Sequence, residues 1–276
     1  MSDADWMDHA LAAARAVRGT TTPNPAVGAV VVRDGVLLGR GATLPVGGAH
    51  AEVMALRNTR AAGHDPAGAT MYVTLEPCCH WGRTPPCTNA ILEAGIRRVV
   101  IGTVDPFPAV QGKGQSQLVE AGVEVRLGVR EAECAAQILG FARATARGLP
   151  EVGLALGPVD STERASWDAC IVDASVCGEV AGAHRLVWLA SAGVDAVPPA
   201  LDARLHRILT AESGSDPRVE VLPRGAEGMA IESVLRAVVR AGLHRVLFEV
   251  DSRRSSALMA SGFVDHLLGE SGARQL

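Results

Sequence analysis

The chain has 276 residues and a mass of 28.6 kDa, enough for two domains of ordinary size. Its 26 Lys and Arg against 30 Asp and Glu leave a net charge of −4, so the basic footprint of a nucleic-acid binder is missing. No run of about 18 apolar residues occurs, which excludes a membrane-spanning helix. The start Met1-Ser2-Asp3-Ala4-Asp5 carries acids where a secretion signal carries bases, so a cytoplasmic protein is expected.

Residues 5–18 are rich in Ala and Leu with apolar positions at helical spacing and Gly19 as a stop, which predicts a helix. Two short aliphatic runs, 26–32 and 36–41, flank Arg33-Asp34-Gly35, whose Asp-Gly pair predicts a hairpin. The pattern then predicts a helix from about His50 to Ala62, a strand at 70–75, a helix at 85–94, a strand at 98–102, a helix at 112–121, a strand at 123–127 and one long helix at 131–147. Strands alternating with helices in this way define an α/β class.

Gly148-Leu149-Pro150 breaks that last helix, so domains of 1–148 and 149–276 are expected. In the second, a strand is predicted at 152–156, no clear period at 157–177, a helix at 182–192 and a loop at Pro198-Pro199. The chain then reads as a βαβ unit: strand 219–222, helix 229–241, strand 246–250 and a helix through Met259.

Six cysteines are too few for a disulfide framework, and three of them, Cys78, Cys79 and Cys87, lie within ten residues. His50-Ala51-Glu52 and Glu76-Pro77-Cys78, followed eight residues later by Cys87, offer one imidazole and two thiolates, a donor set suited to Zn²⁺. Three protein ligands leave a position for water, which zinc makes acidic near pH 7. Glu52, beside His50 at the start of a helix, is then placed to carry protons. Cys87 follows Thr84-Pro85-Pro86, which resembles a helix N-cap and first turn that would favour a thiolate. A fourth ligand from Cys79 or His80 would instead close the site and leave a purely structural zinc.

Thr21-Thr22-Pro23-Asn24-Pro25-Ala26-Val27-Gly28, His50-Ala51-Glu52 and Thr74-Leu75-Glu76-Pro77-Cys78 through Cys87 together resemble the deaminase half of the bifunctional riboflavin-biosynthesis deaminase/reductase family over about residues 1–150. The resemblance implies a cytidine-deaminase-like three-layer α/β/α domain with a mixed sheet, followed by a smaller dihydrofolate-reductase-like α/β domain. It implies one zinc per chain at His50, Cys78 and Cys87, Glu52 as catalytic proton carrier, and Asn24, Ala51, His80, Arg83 and Thr84 as substrate-binding residues. The implied reaction is hydrolytic deamination of 2,5-diamino-6-ribosylamino-4(3H)-pyrimidinone 5′-phosphate to 5-amino-6-(5-phosphoribosylamino)uracil. This serves riboflavin synthesis or a pathway branching from it, in a homodimer or higher homo-oligomer.

The chain departs from the family at Cys79, Arg83 and Phe107, where serine, lysine and a polar residue are usual. The second half departs more. Ala155 stands at the family's lysine, and Glu249-Val250-Asp251 replaces the Glu-Gly-Gly that closes on the NADPH phosphates. The expectation is a shortened, degenerate reductase domain without NADPH. Two other readings are a complete deaminase plus NADPH-dependent reductase and a non-enzymatic zinc-stabilised scaffold.

Overall fold

A computed structural model of the chain describes residues 1–82, 85–173, 183, 185–190, 205–210, 219–221, 224–225, 228–269 and 274–275. Among the described residues, no helix is long and apolar enough to cross a membrane. The chain divides into two units, Met1–Ala146 and Arg147–Leu276.

The first unit opens with α1 (Asp3–Arg15), capped by Ser2, whose Oγ accepts from Asp5 N while the Asp5 carboxylate accepts from Ser2 N. Strands β1 (Gly28–Arg33) and β2 (Val36–Ala42) form the predicted hairpin. Asp34 and Gly35 turn it with φ of 53° and 74°, a left-handed pair that Asp and Gly tolerate best. There follow α2 (Ala51–Ala61), β3 (Thr70–Leu75), α3 (Cys87–Glu93), β4 (Arg98–Thr103), α4 (Lys113–Glu120), β5 (Glu124–Leu127), α5 (Glu131–Gln137) and α6 (Leu139–Arg147).

The sheet order is β2-β1-β3-β4-β5. The first two pairings are antiparallel and the last two parallel, which makes the sheet mixed. Its central strands read as unbroken apolar runs because both faces are covered. Ala29, Val31, Met71, Val73 and Ile101 pack with Ala55 and Leu56 of α2 and Ile91 of α3. Val30, Val32, Tyr72 and Val100 pack with Trp6, Met7 and Leu11 of α1. Three layers result.

The single long helix predicted at 131–147 is two helices, broken at Ile138 with φ −110°. The break lets Cys134 join the α1 side of the core while Ile138 joins the α2–α3 side. Predicted helix 85–94 begins at Cys87 with Pro86 as N-cap, not Thr84, which lies outside the described residues.

The second unit contains β6 (Glu151–Ala155), α7 (Ser161–Ala165), β7 (Ala169–Val172), β8 (Leu186–Leu189), β9 (Leu205–Thr210), β10 (Val219–Val221), a small hairpin β11 (Arg224–Gly225) and β12 (Gly228–Met229), α8 (Ile231–Arg240), β13 (Arg245–Glu249), α9 (Ser252–Ala260), β14 (His266–Leu268) and β15 (Arg274–Gln275). Its main sheet runs β10-β9-β8-β7-β13-β6-β14-β15, parallel except at β15. Residues 186–189 form a strand where a helix was predicted at 182–192. They lie in the sheet interior, with Val187 and Leu189 in one core cluster and Leu186 in another. A doubly covered parallel strand and a buried helix give the same continuous apolar run. The predicted loop at Pro198-Pro199 lies outside the described residues.

Buried ion pairs cross this sheet. Glu151 receives Arg245 Nε at 2.9 Å and meets His266 Nε2 at 2.8 Å. At the carboxyl end of the sheet, Arg164 binds Glu249 through two hydrogen bonds of 2.7 and 2.9 Å. Nearby, Arg254 Nη1 lies 2.7 Å from an Asp173 oxygen. Asp251 caps α9 by accepting from Arg254 N, and its own N–H donates to Asp173.

Candidate metal centre and active site

Three elements of the first unit converge on one point. His50 is the N-cap of α2, in extended backbone with φ −74° and ψ 166°, which turns its ring toward the loop after β3. Cys78 lies in that loop, and Cys87 opens α3. His50 Nδ1 is 3.3 Å from Cys87 Sγ and 3.7 Å from Cys78 Sγ, and the three ligand atoms all lie within 4.8 Å of one another. Tetrahedral zinc with ordinary bond lengths sets nitrogen–sulfur separations of about 3.6 Å, so this donor set fits the metal. Among the described residues, no further His, Cys, Asp or Glu joins the cluster, and neither Cys79 nor His80 supplies a fourth ligand.

The electrostatics of the pocket follow from burial and crowding. The hydrogen bond from the Cys87 thiol, together with those from His50 and from Cys87 N at 3.3 Å, holds the Cys78 thiol down at about 4. Cys87 is correspondingly pushed up, because it holds the proton shared by the pair. The hydrogen bond to Cys78 raises the His50 imidazole. Glu52 is 4% exposed, and burial, reinforced by the Cys78 thiolate, pushes its carboxyl up to about 7. It also lies within hydrogen-bonding reach of Cys87.

A cavity of about 280 Å³ opens beside these groups, with His50, Glu52 and Cys78 on one side. Asn24 and His80 line it. His80 Nδ1 is buried without a hydrogen-bond partner, and its ring lies 6.0 Å from that of Phe107. Ala51 does not line the cavity: its side chain is packed in the core at the first turn of α2, which leaves only its backbone to face a ligand. Arg83 and Thr84 lie outside the described residues. Lys113, at the start of α4, reaches Pro108 O at 3.4 Å and does not line the cavity. Cys134 and Cys170 are buried among apolar residues, and Cys177 lies outside the described residues.

Sequence reasoning assigned no role to Glu76, Asp105, Val110 or Phe141, all of which line the cavity. A usable signal was present for Asp105, which follows the carboxyl end of parallel strand β4, where ligands of α/β sheets collect. Asp105 accepts from Phe107 N, and burial pushes its carboxyl up to about 6.

The mixed three-layer sheet and the His/Cys/Cys donor set define a cytidine-deaminase-like zinc domain. The sequence matches the cytidine and deoxycytidylate deaminase zinc-binding region over residues 1–103. It is 53% identical over 131 residues to the riboflavin biosynthesis protein RibD of Aquifex aeolicus, covering 48% of this chain and 36% of that protein. With Escherichia coli RibD it shares 40% over 225 residues, 80% of this chain and 56% of the relative. The fold superposes on the Thermotoga maritima diaminohydroxyphosphoribosylaminopyrimidine deaminase/5-amino-6-(5-phosphoribosylamino)uracil reductase with a TM-score of 0.81 at 28% identity, covering 97% of this chain and 85% of that one. Acinetobacter baumannii RibD gives 0.79 over the same shares. The chain is thus similar to the deaminase/reductase proteins of riboflavin biosynthesis, and its matches span about a third to just over half of the length of these two curated relatives.

Proposed function

We propose that the first unit hydrolytically deaminates 2,5-diamino-6-ribosylamino-4(3H)-pyrimidinone 5′-phosphate at C2, giving 5-amino-6-(5-phosphoribosylamino)uracil and ammonia. The observation that carries this reading is the juxtaposition of three zinc donors with the buried Glu52 carboxyl at a cavity that His50, Cys78 and Glu52 line. One zinc per chain, held by His50 Nδ1, Cys78 Sγ and Cys87 Sγ, would supply Lewis acidity that lets a water molecule lose its proton near pH 7.

The remaining steps belong to the chain. Glu52 takes the proton from the attacking water at its carboxylate and delivers it to the departing amino nitrogen. Water oxygen bonds to C2, the C2–N bond breaks, and ammonia leaves. Asn24, His80, Arg83, Thr84 and the Ala51 backbone orient the ring, while Val27, Leu75 and Val110 exclude bulk water. The test is ammonia release from the phosphorylated diaminopyrimidine, its dephosphorylated form, cytidine and guanine. Turnover of the first well above the others supports the substrate, and release only from cytidine or guanine refutes it.

The second unit does not act as a reductase in this reading. A nucleotide diphosphate needs free N–H donors and close backbone approach at a helix N-terminus. At α9 two N–H groups serve the protein's own carboxylates: Asp251 takes Arg254 N, and Asp173 takes Asp251 N. The same two carboxylates disfavour a phosphate there. Titration with NADPH followed by its fluorescence should show no binding in the micromolar range; saturable micromolar binding would restore the bifunctional reading. Assembly as a homodimer or higher oligomer, which light scattering measures, rests on the family resemblance.

A further inference from the structure

Glu76 lines the cavity two residues before Cys78 and is only 3% exposed. A carboxylate that deep needs partners. Here they are all backbone N–H groups of one distant segment: Asp105 N at 3.2 Å and Gly112 N at 2.9 Å on Oε2, and Gln115 N at 3.0 Å on Oε1. That segment, the β4–α4 loop and the first turn of α4, carries Asp105, Phe107 and Val110, which form a wall of the cavity. The fit is close. A side chain at Gly114 would run into the Pro77 carbonyl oxygen and approach Glu76 Oε1 at 3.3 Å, so α4 can approach the Glu76 loop only with glycine there.

We propose that Glu76 is the positioning residue of this site: its carboxylate ties the loop bearing Cys78 to the loop bearing Asp105 and Phe107, and so fixes the substrate-facing wall relative to the metal donors. With three of about four acceptor directions filled by N–H groups, it has little capacity left to accept a hydrogen bond from a substrate, and its work is done through the loop it holds. Cys78 has supports of its own, since its carbonyl accepts from Thr88 N at 3.2 Å and its sulfur from Cys87 N. Loss of the Glu76 tie therefore loosens the wall more than the donors. The catalytic consequence rests on the deaminase reading; the tie itself does not.

The experiment uses the full-length, zinc-loaded protein and the variants Glu76→Gln and Gly114→Ala. Glutamine turns one acceptor into a donor that faces an N–H, while alanine pries α4 away and leaves the Glu76 carboxylate chemically intact. Hydrogen exchange of the Asp105, Gly112 and Gln115 amides should accelerate about tenfold or more, roughly the loss of one charge-assisted hydrogen bond, with α1 amides unchanged. Zinc content should hold, and KM for the phosphorylated diaminopyrimidine should rise about tenfold while kcat changes by less than about threefold. Unchanged exchange at the three amides overturns the tie. Zinc loss with a matching fall in kcat per chain at constant KM overturns the positioning role, because Glu76 would then only support the donors. A wild type that releases no ammonia while the variants still exchange faster sinks the deaminase reading and with it the catalytic role, leaving the tie intact.

Discussion

Acid should destabilise the second unit chiefly through Glu151. This carboxylate is 3% exposed at the start of β6, between Arg245 and His266. Burial pushes its carboxyl up, but the His266 hydrogen bond and the Arg245 charge outweigh that and hold it at about 2, against an ordinary 4.5. The folded value lies below the unfolded one, so the stabilisation is complete above about pH 4.5 and is lost as pH falls toward 2. At about 1.4 kcal/mol for each tenfold difference in proton affinity, the full effect is ~3 kcal/mol, of which about 2 is gone by pH 3. Glu151→Gln removes the charge and leaves Arg245 and His266 buried without their carboxylate, a cost of about 3–5 kcal/mol at pH 7. Guanidinium unfolding can be followed by tryptophan fluorescence, since Trp167 lies 4.5 Å beneath the Arg245 guanidinium and packs edge-on against His266. The wild type should lose more stability than Glu151→Gln between pH 6 and 3. Parallel loss in the two proteins would refute the assignment.

Within the first unit, Glu52→Gln should cut ammonia release by about 10² to 10⁴-fold while atomic absorption still finds one zinc per chain; unimpaired release would remove Glu52 from the proton path. Stripping the metal with a chelator should abolish release and lower the melting temperature, with recovery on adding one equivalent of zinc, and a stripped protein of full activity would end the zinc assignment. Phe107 is 41% exposed at the cavity and close to the His80 ring, so Phe107→Ala should forfeit about 1–3 kcal/mol of ring stacking and raise KM roughly five- to hundredfold. An unchanged KM would show that the phenyl ring does not meet the substrate.

Much of the first unit is legible in the sequence because its strands and helices have distinct periods and its turns have distinct chemistry. Asp34-Gly35 fixes the hairpin, and the β3 boundaries, Thr70 to Leu75, are those that the pattern predicts. The donors are legible for another reason: few residue types bind zinc, and their spacing is short. Glu76 is not legible, since its partners lie 29 to 39 residues away and are backbone amides, which leave no mark on side-chain identity. The second unit reads poorly where strands are buried on both faces, as at 186–189, because alternation disappears there. The helix break at Ile138 escapes for a related reason: the two clusters that take Cys134 and Ile138 exist only once the sheet has formed.

Buried carboxylates are met in different ways along the chain, and that contrast bears on the chemistry. In the second, Glu151, Glu249 and Asp173 are each met by an arginine at 2.7–2.9 Å, which neutralises the charge and holds the side chain still. Such pairs keep a fold in register, and at Glu151 the pairing holds the carboxyl at about 2, far from the neutral range. At the first unit's cavity, burial dominates at two carboxyls instead. Glu52 and Asp105 line a cavity whose described residues include neither lysine nor arginine, and their proton affinities rise toward the neutral range, to about 7 and about 6. A carboxyl raised toward neutrality by burial is a common feature of sites that move protons. Buried carboxylates thus serve as structure where arginine or the backbone N–H groups of a distant segment meet them, as at Glu151 and Glu76, whereas Glu52, raised chiefly by burial, is the carboxyl proposed to carry protons.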